Sequence, residues 1–346
     1  MAYTTIDKSK LFMNATLFTG NASNNAITGV GFQPDLVMSK SRSVAYPLGL
    51  YNSVLGVGKF FSGITTGVVG SSTSKIASFD TDGFTLKNGD NGNYTNNTPA
   101  VGWSWKAGTS FSNSAGSNGA TISSSGSVNT TSGFSMIEYT GNGVTGATIA
   151  HGLGKIPTMM IVKNLNRISE WTVYHKDIGN THYLELNSTI AKADYNIWDD
   201  KTPTANVYYA RSHERVNYNG DSYIAFFFTD IEGYSKMGGY VGNGNTNGPF
   251  VYTGFRPTFI MTKASSGTGD WYIHDDKRDG YNSVNDYLKA NAQDIESVDD
   301  PRIDLFSNGF KFRTTHSTQN ASGTSYVYQA FGQSIVGSNN VPNNAR

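Results

Sequence analysis

Clustered acidic residues are the first candidates for chemistry in this chain. Asp80 and Asp82 stand beside Gly83 in the segment FDTDGFTL, and carboxylates around a glycine turn resemble the start of a calcium-binding loop. The related segment FSNGFKF at residues 306–312 keeps the glycine but has serine and asparagine in place of the acids. Because the turn is the shared feature, we predict two strand–turn–strand corners, with no metal site and no cofactor.

Two acidic pairs later in the chain offer the same alternative. Asp275 with Asp276, and Asp299 with Asp300, are adjacent carboxylates that are able to hold a cation together. Aspartates in loops are far more often solvated than bound to a metal ion. We therefore predict ordinary loop carboxylates at both places.

Glutamates of the chain are also candidates for sugar hydrolysis. A glycosidase needs two carboxyl groups that face each other across a cleft, one of them with a raised pKa. Several glutamates in the middle of the chain have no counterparts in the related C-terminal segments: Glu138, Glu170, Glu185 and Glu214. We predict no catalytic residues and no enzyme activity, and a free glycan-active enzyme is the hypothesis that this pattern argues against.

Two histidines suggest a catalytic or metal-binding role. His175 follows Trp171 by four residues in WTVYH, and His274 follows Trp271 by three in WYIH. Side chains alternate along a strand, so these offsets place the two histidines on opposite faces. No third ligand accompanies them, and we predict ordinary strand histidines. His151 lies in the run HGLG, for which a turn is a sufficient explanation.

A threefold internal repeat supplies the elements that carry these residues. Three segments share one pattern: GFQPDLVMSK at 31–40, GKIPTMMIVK at 154–163 and GFRPTFIMTK at 254–263. Proline fixes its own φ and extends the residue before it, so it begins a strand but does not sit inside a paired one. The apolar run that follows is typical of a strand buried on both faces, and the closing lysine marks where that strand meets water.

Flanking segments recur around each proline-led strand. LFTGN, IEYTGN and GGYVGN each end in a Gly-Asn turn, and VGWSW, DSYIAFFF and TSYVYQAF close the three copies with alternating aromatic residues. Trp171 and Trp271 both follow their proline by 14 residues, where the first copy has Leu48. The distance from the glycine of each Gly-Asn turn to the following proline differs by one or two residues between the copies. Such small length differences are typical of hairpin loops, so the pattern favours an antiparallel meander.

These patterns predict an all-β chain of antiparallel β-sandwich units, jelly-roll or concanavalin-like, in a threefold internal repeat. The predicted organisation is an N-terminal arm at 1–16, β-sandwich repeat 1 at 17–107, a Gly/Ser/Thr-rich linker or edge strand at 108–133, β-sandwich repeat 2 at 134–232, β-sandwich repeat 3 at 233–335 and a C-terminal tail at 336–346.

Composition excludes several classes of partner. The 346 residues have zero net charge and only 15% charged residues, so we expect no basic face for nucleic acid. There is no cysteine, which excludes disulfides and thiolate metal sites. No apolar run approaches the length of a membrane span, and the N-terminus lacks a signal-peptide pattern. We expect synthesis in a host cytoplasm, without membrane insertion.

Aromatic residues are the strongest candidates for recognition. Rings beside amides and carboxylates are a common way for β-sandwiches to hold sugars, because the rings stack on C–H faces while the polar groups bond hydroxyls. The candidate contacts for a glycan or a protein partner are Trp171, Tyr174, Trp198, Trp271 and Tyr272. The chain has 5 Trp, 20 Tyr and 19 Phe, so the alternative is that these rings fill the sandwich cores.

Several longer runs carry a resemblance to a known family. They include GWSWKAG, GFSMIEYTGNG, HGLGKIP, GYSKMGGYVGNGNTNGPFVYTGFRP and SNGFKFR. Together they resemble virion proteins that are common in marine bacteriophages and are described as tail, fibre or concanavalin/laminin-G-like proteins. The resemblance implies a β-sandwich component of the virion that contacts other virion proteins. Since phage appendages and decorations are normally symmetric, we expect a homo-oligomer.

Two functions fit that resemblance. The first is a virion structural protein, tail- or fibre-associated, with a role in host-surface attachment; it predicts an exposed aromatic groove that binds a host-surface glycan. The alternative is a capsid decoration or cement protein with a purely structural role, whose terminal arm and repeat edges bind other subunits. The sequence has no coiled-coil stalk of the kind that long fibres carry, and Met38 stands where relatives tend to have tryptophan.

Overall fold

Strands form almost all of the regular structure. The structure, a computed structural model, describes residues 4–279, 281–298, 303–334 and 336. Within those ranges the helical elements are a 3-10 turn, Ser9–Leu11, and one α-helical turn, α1 (Ser317–Asn320). All pairings between the strands named below are antiparallel. The prediction of an all-β chain with antiparallel, sandwich-like sheets is confirmed.

The first unit consists of two sheets. Its strands are β1 (Met13–Gly20), β2 (Asn25–Thr28), β3 (Leu36–Ser41), β4 (Gly49–Asn52), β5 (Lys59–Ser62), β6 (Gly70–Ser71), β7 (Ile76–Asp80), β8 (Gly83–Leu86) and β9 (Thr98–Trp105). The larger sheet has the order β1-β9-β3-β4-β5-β6, and the smaller sheet has the order β2-β8-β7.

The second unit also has a larger and a smaller sheet. Its strands are β10 (Thr109–Asn113), β11 (Ser124–Asn129), β12 (Phe134–Thr140), β13 (Ala147–Ala150), β14 (Met159–Asn164), β15 (Thr172–His175), β16 (His182–Glu185), β17 (Ala193–Asp194), β18 (Val207–Ala210) and β19 (Ser222–Phe228). The larger sheet has the order β10-β11-β12-β19-β14-β15-β16-β17, and β13 pairs with β18.

The third unit completes the described chain. Its strands are β20 (Ser235–Val241), β21 (Phe250–Tyr252), β22 (Phe255–Ala264), β23 (Tyr272–Asp275), β24 (Leu288–Lys289), β25 (Ile303–Phe306), β26 (Gly309–Phe312) and β27 (Ser325–Ser334). The larger sheet has the order β20-β27-β22-β23-β24, and the smaller sheet has the order β21-β26-β25.

One order of strands recurs in the three larger sheets. In each unit the strand that leads into the Gly-Asn turn pairs with the last strand of the unit. That last strand also pairs with the proline-led strand, and the next two strands of the chain follow in order. The three series are β1-β9-β3-β4-β5, β12-β19-β14-β15-β16 and β20-β27-β22-β23-β24. The proline-led strands are therefore central and almost wholly buried, as their continuous apolar runs predict. The interpretation of the chain as three copies of one unit agrees with this order and stays a prediction.

The third proline-led strand departs from the prediction at its start. β22 begins at Phe255, ahead of Pro257, and Pro257 lies opposite Gly332 inside the paired region. The register shifts between Pro257 and Phe259. An irregularity in the ladder thus accommodates the residue that has no N–H to donate. The expectation that the proline stands outside the paired strand is wrong for this copy.

The proline-led central strand of each larger sheet is covered on both faces. Leu36 in β3 and Ile161 in β14 point into a core to which all three units contribute. Their neighbours Val37 and Met160 point the other way, into cores that belong to the first and the second unit alone. A corresponding core of the third unit surrounds Phe310. The chain therefore folds as three sandwiches around one shared core.

The predicted N-terminal arm is docked on the body. β1 begins at Met13, ahead of the predicted boundary at residue 17. Ile6 is buried in the shared core. The backbone N–H of Ser9 and its hydroxyl both donate to the side-chain oxygen of Gln333 in β27, at 3.1 and 3.0 Å. The arm therefore packs against the third unit of its own chain.

The predicted linker at 108–133 is ordered, whereas the predicted C-terminal tail lies almost entirely outside the described residues. Residues 108–133 contain β10 and β11, which pair with each other, and β11 pairs in turn with β12 at the edge of the second sheet. The edge-strand alternative therefore describes this segment, and the flexible-linker alternative does not. The predicted tail at 336–346 lies outside the described residues, except for residue 336.

Candidate functional site

The five aromatic residues predicted as contacts lie in the interior. Trp171, Trp198 and Trp271 are at most 1% exposed, and Tyr174 and Tyr272 are each 3% exposed. The rings of Tyr174 and Trp198 pack edge to face in the core of the second unit, with centroids 5.9 Å apart. The expectation that these rings line an exposed groove is wrong. Other parts of the chain cover the sheets on both faces at these positions, so these rings have no solvent side.

Three of the four indole N–H groups in the shared core bond across the unit boundaries, and that of Trp105 has no partner among the described residues. The three bonds run from Trp171 Nε1 to Thr65 O (2.9 Å, second unit to first), from Trp271 Nε1 to Glu185 O (2.9 Å, third to second) and from Trp103 Nε1 to the Asp275 carboxylate (3.0 Å, first to third). Buried indole N–H groups need a partner. Here each partner belongs to a neighbouring unit, so the bonds close a ring around the shared core.

The lysines that close the proline-led strands are buried. Lys40, Lys163 and Lys263 are each 0% exposed, so the expectation that they mark where each strand meets water is wrong. Their ammonium groups donate to main-chain carbonyls of a neighbouring unit: Lys40 to Ala292 O (2.7 Å, first unit to third), Lys163 to Thr66 O (3.0 Å, second to first) and Lys263 to Ile190 O (2.8 Å, third to second). These bonds run around the ring in the same direction as the indole bonds.

Burial sets the electrostatic state of these lysines. It lowers the pKa of Lys40, Lys163 and Lys263 from 10.5 to about 8 in each case. Each ammonium also donates to a carbonyl of its own unit, for example that of Ser169 for Lys163, at 2.8 Å. Since the partners are main-chain carbonyls of two units, each lysine fixes the chain path at a unit boundary.

A buried asparagine holds the Gly-Asn turn of each unit. Asn93, Asn217 and Asn320 are each 0% exposed. Their side-chain oxygens accept the backbone N–H groups of the turn asparagines: Asn21 at 2.9 Å, Asn142 at 2.8 Å and Asn243 at 2.9 Å. The sequence pattern predicts the turns but not these partners. Their separations of 72, 75 and 77 residues from the turns are the signal that identifies them.

The acidic residues considered for calcium have other partners. Asp82 accepts the backbone N–H groups of Gly29 at 3.0 Å and Gly31 at 2.7 Å. Asp80 accepts the hydroxyl of Thr85 at 2.7 Å. In the part of the chain that the structure describes, no group of three or more histidine, cysteine or acidic residues is placed to hold a metal ion. Asp80 thus fixes the corner between β7 and β8, and Asp82 ties that corner to the loop that follows β2.

Asp275 is a buried structural carboxylate. It accepts the Arg278 guanidinium at 2.6 Å, and both side chains are fully buried. Burial alone would raise the pKa of Asp275, but the charge and hydrogen bonds of Arg278 hold it below its ordinary value. Asp276 pairs with Arg256 at 3.3 Å. The predicted loop carboxylates at positions 299 and 300 lie outside the described residues.

The strand histidines are buried and neutral. Burial lowers the pKa of His175, His274 and His151 to about 4. His175 Nε2 lies 3.2 Å from the carbonyl oxygen of Tyr328, across the boundary between the second and third units. His274 Nε2 lies 3.2 Å from the amide nitrogen of Gln319. These contacts assign the strand histidines to packing between and within units.

A groove between the second and third units does carry exposed aromatic rings. Its volume is about 340 Å³, and it is lined by Lys176, Asp177, Lys236, Gly238, Gly239, Tyr240, Phe250, Val251, Tyr252 and Tyr328. Phe250 is 46% exposed and Tyr252 is 53% exposed. The second unit contributes Lys176 and Asp177, which follow β15, and the third unit contributes the remaining residues.

Local strand geometry explains why these rings are exposed. β21 is an edge strand that pairs only with β26. Alternation along it directs Val251 into the core of the third unit and Phe250 and Tyr252 to the outside. Gly239 in β20 leaves exposed backbone beside the rings. A Cβ at Gly239 would lie 3.2 Å from the Asp177 carboxylate, which shows how closely the two units approach here.

The charges around the groove balance. Lys176 pairs with Asp230 at 2.5 Å. The ammonium of Lys236 donates to the carbonyl oxygen of Tyr252 at 3.0 Å and lies 5.2 Å from the centroid of its ring. Asp177 supplies the second negative charge, and partial burial raises the pKa of its carboxyl. Two ammonium groups therefore face two carboxylates, and the groove has no excess of either charge.

Two polar groups in the groove have free hydrogen-bonding capacity. Within the described residues, neither the carboxylate of Asp177 nor the hydroxyl of Tyr328 makes a hydrogen bond. A Cβ at Gly238 would lie 2.6 Å from that hydroxyl, so the Tyr328 side chain packs directly against the backbone of Gly238. The sequence pattern alone does not predict this groove. The exposed–buried–exposed alternation of the three residues of β21 indicates it only when the neighbouring strands are known.

The architecture defines an all-β protein of three sandwiches with a mixed aromatic and polar groove between two of them. A family model described as a domain of unknown function (DUF7483) matches residues 8–334, and the chain belongs to that family. No curated protein and no solved structure matches the chain. Among the described residues, no helix is both long enough and apolar enough to cross a membrane.

Proposed function

We propose that this chain is a bacteriophage virion structural protein, tail- or fibre-associated, that takes part in host-surface attachment. Its partners are other virion proteins and a glycan of the host surface, and it acts in the virion as a homo-oligomer without catalysis. The sequence motifs that resemble phage virion proteins extend over nearly the whole chain and support this assignment.

The main support for the proposal is that the buried ionisable groups form structural bonds between the units. Lys40, Lys163 and Lys263 bond main-chain carbonyls across unit boundaries, and Asp275 bonds both Arg278 and an indole of another unit. A particle component has to keep its shape under mechanical load. Polar groups that tie three close-packed sandwiches to one core serve that requirement.

The groove and the arm favour attachment over the alternative of a capsid decoration or cement protein. Exposed rings at Phe250 and Tyr252 offer a contact surface for a host molecule, which a purely structural role does not require. The alternative uses the N-terminal arm as a contact for other subunits. Ser9 is instead bonded to Gln333 of its own chain.

Antibody labelling tests the proposal on intact particles. Antibodies raised against the purified chain are applied to particles of a phage that encodes it, and bound antibody is located by electron microscopy. We expect labelling on the tail or its fibres. Labelling on the head would favour the capsid decoration alternative, and particles without any label would overturn both.

A further inference from the structure

We propose that the groove between the second and third units binds an uncharged sugar residue. The biological setting of this site, a host-surface glycan, rests on the function proposed above. The assignment of the ligand class rests on the groove itself.

The exposed rings supply an apolar stacking surface. Phe250 and Tyr252 are separated by one residue on β21 and point to the same side of that strand. The edge of the Phe250 ring is supported by Phe306, with centroids 5.8 Å apart. The C–H face of a pyranose ring packs against such aromatic faces, and this contact does not require a charge on the ligand.

The free polar groups supply directional contacts for hydroxyls. The Asp177 carboxylate accepts hydrogen bonds, and the Tyr328 hydroxyl both donates and accepts them. They belong to different units and line the same groove as the rings. Gly239, whose backbone is exposed, lies beside them without a side chain, so a ligand is able to approach the backbone of β20 at that residue.

The balance of charge selects an uncharged ligand. Lys176 is neutralised by Asp230, and Lys236 and Asp177, which both line the groove, attract each other. An acidic sugar would place its carboxylate near that of Asp177, and a cationic ligand would meet the two ammonium groups. A polyol surface with no net charge avoids both penalties.

A second groove of similar volume provides the comparison within the same chain. It lies on β10, β11 and β12, and its lining includes Ser112, Ser125, Glu138 and the buried Tyr139. Hydroxyls and one carboxylate are present there, but no exposed aromatic ring is. Because stacking is missing, we expect that groove to contribute no sugar binding, and its residues serve as controls.

Titration of the full-length chain with oligosaccharides tests the site. The probes are a panel of neutral hexose and N-acetylhexosamine oligosaccharides, together with sialylated and uronic-acid oligosaccharides, and binding is followed by saturation-transfer NMR and calorimetry. We expect saturable binding to at least one neutral member. Tyr252→Ala should weaken that binding about tenfold, whereas Tyr252→Phe should retain it, because the ring face is kept. Asp177→Asn should also weaken it, because a charged acceptor is lost.

Matched controls separate the groove from the rest of the surface. Glu138→Gln in the second groove and Tyr281→Ala, whose ring is 82% exposed elsewhere on the third unit, should leave affinity unchanged. All variants should keep the thermal midpoint of the wild type to within about 2 °C, since the altered side chains are surface groups.

Four results would overturn the assignment. They are no saturable binding to any neutral oligosaccharide of the panel, tighter binding of the acidic members, full affinity in Tyr252→Ala, and equal loss of affinity in Glu138→Gln. The particle labelling described above tests the proposed function independently of this sugar site. Tail labelling without sugar binding would leave the proposed function and remove the site, and head labelling with sugar binding would do the reverse.

Discussion

The ammonium nitrogen of Lys163 in the second unit lies 3.0 Å from the carbonyl oxygen of Thr66 in the first unit. Lys263 and Lys40 make the corresponding bonds from the third unit to the second and from the first to the third. A chain of three independent modules would have no need for such a closed series. The series indicates that the three units form one body around the shared core.

Removal of one of these lysines should loosen a unit boundary. In Lys163→Met the carbonyls of Thr66 and Ser169 lose a donor, which costs more than removal of the buried charge returns. We expect the free energy of unfolding to fall by about 2 kcal/mol, measured by urea denaturation. The exposed Lys155 provides the control, and Lys155→Met should change stability by less than about 0.5 kcal/mol. An equal effect of the two substitutions would contradict the account.

The same lysine should affect how stability depends on pH. Its pKa is lowered from 10.5 to about 8 in the folded chain, so between those values the unfolded chain binds more protons at this position. The Lys163 contribution to folding stability therefore rises as pH increases from 8 to 10.5. We expect the stability difference between the wild type and Lys163→Met to grow between pH 7.5 and pH 9.5 in denaturation series. A constant or shrinking difference would show that the ammonium is not buried.

The glycine of the Gly-Asn turn should not tolerate a side chain. A Cβ at Gly141 would lie 2.3 Å from the carbonyl oxygen of Tyr218, whereas a Cβ at Gly58 would meet nothing within 4 Å. Gly141→Ala should destabilise the chain by about 3 kcal/mol. Gly58→Ala, with its backbone in an ordinary conformation, should be neutral or slightly stabilising. Thermal midpoints of the two variants provide the measurement, and similar midpoints would refute the turn geometry.

A polar residue in the shared core should be replaceable with a gain in stability. The side-chain nitrogen of Gln329 is buried without a hydrogen-bond partner among the described residues, beside an apolar cavity of about 30 Å³. Gln329→Leu should raise the free energy of unfolding by about 1 kcal/mol, because an unsatisfied polar group is removed. Gln333→Leu is the matched control and should lower stability, since Gln333 bonds Ser9. Destabilisation by Gln329→Leu would indicate a partner for that amide.

The local part of the fold was predictable from the sequence. Proline followed by an apolar run marks the strands at Leu36, Met159 and Phe259, because few other elements are bounded in this way. Alternating aromatic residues mark the closing strands, because side chains of a strand point alternately to its two faces. These signals depend on the residues of one strand and its immediate neighbours.

The contacts between units were not predictable from such local signals. A lysine at the end of an apolar run normally reaches water, and only the loop of another unit turns Lys163 into a buried donor. The predicted contacts at Trp171 and Trp271 failed for the same reason, since a second layer covers the face that a lone sandwich would expose. The groove rings at Phe250 and Tyr252 depend on a short edge strand whose neighbours are distant in sequence.

Equilibrium unfolding of the full-length chain tests the closed body most directly. Tryptophan fluorescence reports on the shared core through Trp103, Trp105, Trp171 and Trp271, while far-UV circular dichroism reports on all the sheets. We predict a single urea transition with coincident midpoints for both probes, and a steep denaturant dependence that corresponds to unfolding of the whole chain. Two or more separated transitions, with fluorescence lost before the sheet signal, would show that the units are independent and would contradict the account.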